Sequence, residues 1–278
     1  MMLQHDQEKL RRPKRRDSAV TIISAIICHD AIVVATDSRT TDSGGSRDDT
    51  TKSAVLSFKN GHAIVAVSGD ADLGSLLAEQ LQVAAPSVEL KDYRSAPEAL
   101  NAVLLAFKDD QAKRAYGCAT DKLHEQFLIR GVNFAVVLAY YFAKQAYIYS
   151  AEVPSLQFVR RDYPYWSLGC GKDVADYLLR AFDFPQKCSH DTALAAVYVV
   201  GEVKRSDCRC GGPTQLTLAS SEAKPEKLTQ QAVQAMEEQM THVAGVQQQE
   251  CQRQIQAAIE STRLAYQSLL PGSIPLED

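Results

Sequence analysis

The chain has 278 residues, 45% hydrophobic and 23% charged, an ordinary globular balance that allows one large domain or two small ones. A net charge of -4, with the one dense basic run confined to residues 1–20, argues against a nucleic-acid partner, because phosphate contacts need a basic face. No stretch approaches the roughly 18 apolar residues of a membrane span, so a soluble chain is expected.

Residues 1–20 carry Lys9, Arg11, Arg12, Lys14, Arg15 and Arg16 without an apolar segment, so they are no secretory signal. They read as a disordered basic arm or as a propeptide. Thr21 to Cys28 and Ala31 to Thr36 are isoleucine- and valine-rich runs separated by His29-Asp30, a predicted hairpin. Their hydrophobicity is nearly continuous rather than alternating, which implies strands covered on both faces, by a second sheet on one side and by helices on the other. A polar loop from Thr40 to Thr51 leads to a second hairpin, Ala54 to Phe58 and His62 to Ser68, turning at Lys59-Asn60-Gly61.

A helix is expected after Asp70, with Leu73, Leu76, Leu77 and Leu81 on one stripe. Another starts at Ser95, whose side chain is placed to cap while Glu98 reaches back, and it buries Leu100, Val103, Leu104 and Phe107. Residues 117–130 carry no readable pattern. Strands follow at Phe134 to Phe142, Gln145 to Ser150, Leu156 to Arg160 and Tyr165 to Leu168, then helices from Lys172 and Thr192 and a last strand at Gln215 to Ala219. Two hairpins, two helices, strands, two helices and a strand make an α+β chain, and two sheets packed together with helices outside both make a four-layer αββα sandwich. Beyond Pro225, Val233, Met236, Met240 and Val243, then Ile255, Ile259 and Tyr266, lie near helical spacing, giving a C-terminal helical extension over 223–278 after a domain spanning 21–222.

Seven cysteines, odd in number and scattered, suit reduced thiols in the cytoplasm better than a disulfide framework. Cys208-Arg209-Cys210 is too tight for a zinc knuckle and no histidine pair supports it, so neither a metal nor another cofactor is expected.

Five separated stretches carry chemistry in a particular order: Thr21-Ile-Ile-Ser-Ala25-Ile26, Ala35-Thr36-Asp37-Ser38-Arg39, Ser68-Gly69-Asp-Ala-Asp72, Ser167-Leu-Gly169-Cys170-Gly171 and Asp207-x-x-Cys210-Gly211-Gly212. Together they resemble the β-type subunits of the proteasome family, within the N-terminal nucleophile (Ntn) hydrolases. The resemblance implies a threonine-type peptide hydrolase in which Thr21, once exposed as the first residue, is the nucleophile and its own α-amine the base. Such an amine titrates near pH 7.7–8.0, so a nearby cation need lower it only slightly.

By the same resemblance Asp37 is the buried aspartate that holds a lysine, and Lys52, one place early by strict spacing, is that lysine. An ammonium about 4 Å away contributes on the order of 4 kcal/mol at an effective dielectric of 20, enough to keep the amine neutral. Gly69 supplies an oxyanion N–H, and Arg39 is structural or lines the substrate groove. Asp207 with Cys210 and Cys170 orients the amine, the two cysteines standing where the family has serines; a small buried hydrophobe is the other reading of each thiol. Val20 stands where processed members usually have glycine. The resemblance further implies peptide or unfolded protein as substrate, a homo-oligomeric ring, and an ATP-dependent unfoldase as a possible partner. Two other readings stay open: a non-catalytic scaffold subunit of such a ring, and an amidohydrolase acting on a small amide.

Overall fold

The computed structural model describes residues 21–42, 45–47, 50–69, 71–116, 134–152, 155–243 and 253–254. The basic arm, the segment 117–130, and Ile255, Ile259 and Tyr266 of the C-terminal stripe lie outside the described residues.

Two five-stranded antiparallel sheets organise the chain. The first has the order β10-β1-β2-β11-β12, from β1 (Ile22–Ile27), β2 (Ile32–Thr36), β10 (Tyr165–Gly169), β11 (Gln215–Ala219) and β12 (Glu226–Lys227). The second runs β5-β6-β7-β8-β9, from β5 (Ser53–Phe58), β6 (Gly61–Ser68), β7 (Ala135–Phe142), β8 (Gln145–Glu152) and β9 (Val159–Arg161). The predicted polar loop contains a small hairpin of its own, β3 (Thr40–Asp42) paired with β4 (Gly45–Arg47).

The continuous hydrophobicity of β1 and β2 has the predicted consequence. Ile23, Ala25, Ile32 and Val34 point toward the second sheet and pack with Ile64, Ala66, Val137, Ala139 and Ile148. Their neighbours Ile22, Ile26, Val33 and Ala35 point the other way, into a cluster with Ala175, Leu179, Ala196, Val197 and Val200. Those partners come from α3 (Lys172–Leu179) and α4 (Ser189–Ser206). The outer face of the second sheet, with Leu56, Val65, Leu138 and Tyr140, packs on Leu77 and Leu81 of α1 (Ala71–Ala84) and on Leu100, Leu104 and Phe107 of α2 (Ser95–Tyr116). Each fully buried leucine or isoleucine contributes on the order of 1.5–3 kcal/mol of transfer free energy, so these clusters carry most of the stabilisation. The result is an α+β sandwich.

A further helix, α5, over 230–243, packs Val233 and Met236 onto the cluster beneath α4, while Val243 is exposed. Strand β12 lies just before it and extends the first sheet beside β11.

Three local expectations shift. At the start of α2 the cap is Asp92 rather than Ser95: Asp92 Oδ1 accepts the backbone N–H of Arg94 and of Ser95, both at 2.8 Å, and the Ser95 hydroxyl turns back to accept from Lys91 and Asp92. Helix α4 opens at Ser189, three residues before Thr192. Strand β9 is confined to Val159–Arg161 because Leu156 takes φ of 48° and its N–H turns back to the carbonyl of Glu152.

Candidate active site around Thr21

Thr21 sits directly before β1 and is 1% exposed. The β1–β2 register pairs Ile23 with Thr36, the last residue of β2, and so brings Asp37, which follows it, beside Ile22. The Asp37 N–H donates to Ile22 O at 3.2 Å, and its Oδ1 accepts from the Ile22 N–H at 3.0 Å and from the Thr21 hydroxyl at 3.0 Å. Asp37 is fully buried, and its second oxygen accepts the Gly211 N–H at 3.0 Å. A carboxylate held this way needs a countercharge.

Lys52 supplies it from the other sheet. It precedes β5, its side chain is 5% exposed, and its Nζ donates to Asp37 Oδ1 at 2.7 Å and to the carbonyl of Arg39. The ion pair therefore bridges the two sheets at the end of the sandwich where Thr21 lies. Burial pushes the Lys52 ammonium below its ordinary pKa, and the neighbouring Asp37 carboxylate opposes that shift. One carboxylate oxygen thus organises both the threonine hydroxyl and the ammonium.

Register also explains the third wall. Strand β10 pairs Gly169 with Ile22, which lays the turn after β10 against Thr21. Gly169 has φ of 100°, and a Cβ there would fall 2.0 Å from the Thr21 carbonyl oxygen. Only glycine fits that approach. Gly169→Ala is expected to destabilise the protein by at least about 2 kcal/mol, combining left-handed strain with a backbone clash. Gly201→Ala, in the middle of α4, where the added Cβ would meet only the far end of Arg205 at 3.8 Å, is expected to be neutral or stabilising by up to about 1 kcal/mol. Urea unfolding of the two variants checks this; equal midpoints would disprove the packing of Thr21 on Gly169.

Beyond Gly169, Cys170 Sγ donates to Thr21 O at 3.4 Å and lies 3.1 Å from Cys210 Sγ. The contact splits the two thiols: the hydrogen bond from Cys210 holds Cys170 below its ordinary pKa, while the same bond and burial push Cys210 up. Asp207 follows α4, and Arg209 grips its carboxylate through Nε at 3.0 Å and Nη2 at 2.8 Å, holding its pKa down. Arg39 is tied into the same loop. Its N–H donates to Gly211 O, its guanidinium to Cys208 O at 3.1 Å, and a Cβ on Gly211 would meet the guanidinium carbon at 2.3 Å.

Of the residues singled out by sequence, Thr21, Asp37, Lys52, Cys170, Asp207 and Cys210 thus assemble in one place, with Arg39 bracing them. Gly69 follows β6 directly, with φ of 131°, two residues past Val67, whose N–H donates to Lys52 O at 2.9 Å. The backbone roles of Gly169 and Gly211 are additions. Their signal in the sequence is the glycine beside each cysteine.

No protein-family model matches the sequence, and no curated protein matches it. Solved structures do. "Anbu (ancestral beta-subunit)" from Yersinia bercovieri aligns over 92% of this chain and 100% of its own, with TM-score 0.62 and 12% identity. An Anbu mutant from a Hyphomicrobium strain aligns over 86% and 99%, with TM-score 0.60 and 14% identity. The helical assembly of the Anbu complex from Pseudomonas aeruginosa aligns over 93% and 100%, with TM-score 0.62 and 14% identity. This chain shares the Anbu fold. At such identities the likeness extends to the fold alone.

The ligands that the site offers a metal are Cys170, Asp207 and Cys210, whose sulfur and oxygen atoms lie within 4.8 Å of one another. Arg209 pairs with both oxygens of Asp207, and the two sulfurs contact each other directly, so the three groups are already partnered among themselves and with Arg209.

Proposed function

We propose that this protein is a proteasome β-subunit-like threonine peptidase with the four-layer αββα architecture of the Ntn hydrolases, activated by removal of residues 1–20. The observation that carries the reading is the buried Thr21 hydroxyl sharing one Asp37 oxygen with the Lys52 ammonium. Loss of the arm turns the Thr21 amide nitrogen into a free amine beside its own side-chain oxygen. Thr21 Oγ1 then attacks the peptide carbonyl and its proton passes to that amine, while the Lys52 charge favours the neutral, accepting form. The Gly69 N–H stabilises the oxyanion, the amine returns the proton to the leaving nitrogen, and water hydrolyses the acyl-enzyme. Cys170, through its bond to the Thr21 carbonyl, and the linked Cys210 and Asp207 keep the threonine oriented.

A homo-oligomer hiding these sites follows from the same reading. A subunit whose heterologous contacts close makes a ring, and one whose contacts do not close makes a helix, the form the Pseudomonas aeruginosa neighbour takes.

Val20 favours a second reading, a scaffold subunit that is never cut, because a β-branched residue before Thr21 makes the strained geometry of self-cleavage harder to reach. Intact mass of the purified full-length chain separates the two. A species beginning at Thr21 is expected; a chain that stays whole and hydrolyses no peptide overturns the peptidase in favour of the scaffold.

A further inference from the structure

We propose that Cys170 and Cys210 form a peroxide-responsive thiol pair, converted reversibly to a disulfide at the wall of the Thr21 site. Their sulfurs are 3.1 Å apart across a sequence separation of 40, a thiol–thiol hydrogen bond made by the fold and not by local chain geometry. Closing to a covalent bond of about 2.05 Å asks each sulfur to move by roughly half an ångström. The pair is asymmetric in the way such chemistry needs. Cys170 is partly exposed and Cys210 is 1% exposed, so a solvent oxidant meets Cys170 first and Cys210 waits behind it. The Cys210 hydrogen bond holds Cys170 below its ordinary pKa; burial and the Asp207 carboxylate oppose that shift, and the Arg209 guanidinium adds to it.

The other described cysteines lack this arrangement. Cys188 and Cys208 are exposed, and Cys28 is buried with its thiol directed at the Ala31 carbonyl at 3.1 Å.

The reaction balances with one peroxide. The Cys170 thiolate attacks a peroxide oxygen, forming an S–O bond and breaking O–O, and the departing hydroxide takes up a proton to become water. The Cys210 thiol then attacks the sulfenic sulfur: S–S forms, S–O breaks, and the hydroxyl leaves as a second water with the Cys210 proton. Two thiols are oxidised and one peroxide is reduced. A dithiol returns the pair to thiols by exchange, its own two sulfurs leaving joined as a disulfide.

The consequences fall on Thr21. Oxidation removes the hydrogen that Cys170 donates to the Thr21 carbonyl and ties the end of β10 to the residue before Gly211, whose N–H holds Asp37. The thiol chemistry stands whether or not Thr21 is a nucleophile.

Reduced full-length protein treated with hydrogen peroxide, alkylated with iodoacetamide and digested without reductant gives the test. The expected product is a Cys170–Cys210 cross-linked peptide, with the chain lighter by two hydrogens, restored by dithiothreitol, while Cys28, Cys188 and Cys208 remain alkylated. Cys210→Ser is expected to halt at a Cys170 sulfenic acid captured by dimedone. Recovery of both thiols alkylated at a peroxide dose that oxidises Cys188 or Cys208 would overturn the proposal in the unmodified chain, independent of any variant's folding. A zinc ion found bound by both thiols in the purified protein would overturn it as well.

Discussion

Thr21→Ala is expected to abolish peptide hydrolysis by about ten-thousandfold or more, the scale on which removal of a covalent nucleophile acts when its neighbours are left in place. The same variant is expected to remain a full-length chain by intact mass, because the proposed self-cleavage uses the same hydroxyl. Its folding cost is small. The hydroxyl makes one buried hydrogen bond to Asp37 Oδ1, and deleting one such bond costs about 1 kcal/mol, while Asp37 keeps Lys52, Ile22 N–H and Gly211 N–H. A melting temperature close to that of the unmodified protein, together with lost activity, therefore assigns the defect to chemistry. Thr21→Ser keeps the oxygen and the hydrogen bond and is expected to retain processing and measurable turnover. Hydrolysis that persists in the alanine variant would remove Thr21 from the mechanism.

The parts of this molecule that were readable in advance are those where one physical signal acts alone. Apolar runs without alternation at Ile22–Ile27 and Ile32–Thr36 require cover on both faces, and the inter-sheet and sheet–helix clusters share their residues alternately. Asn60-Gly61 set the second hairpin, and Asn60 also bonds Leu90 across the loop. Where two local residues compete, the chain path decides. Asp92 and Ser95 are both capable caps, and the turn through Lys91 presents the Asp92 carboxylate to the helix start.

The site divides the same way. Thr21, Asp37 and Lys52 were nameable because their order resembles a family pattern, whereas their geometry needed the β1–β2 register and an ion pair from the opposite sheet. The Cys170–Cys210 contact joins the end of one strand to a loop beyond α4, and nothing local to either cysteine encodes it.

Removing the Lys52 charge is the largest stability effect expected. Lys52→Met leaves the Asp37 carboxylate fully buried without its countercharge, and breaking a buried pair from one side costs about 3–5 kcal/mol. For a chain of this size that corresponds to a melting-temperature drop on the order of 10 °C. On the proposed mechanism, hydrolysis is expected to fall at least about a hundredfold as well, since the charge that would keep a Thr21 amine neutral is gone. Stability and activity part company in the double variant Asp37→Asn/Lys52→Met. With both charges removed, its loss is expected to fall short of the sum of the two single losses by about 1 kcal/mol or more, because the two side chains share one bond at 2.7 Å. The recovery is incomplete, since an amide cannot accept from Ile22 N–H and Gly211 N–H on both of its heavy atoms. Activity is not expected to return at all, because no ammonium faces the threonine. Additive losses, or a Lys52→Met protein as stable as its parent, would show that Lys52 does not compensate Asp37 inside the sandwich, and the electrostatic basis of the mechanism would go with it.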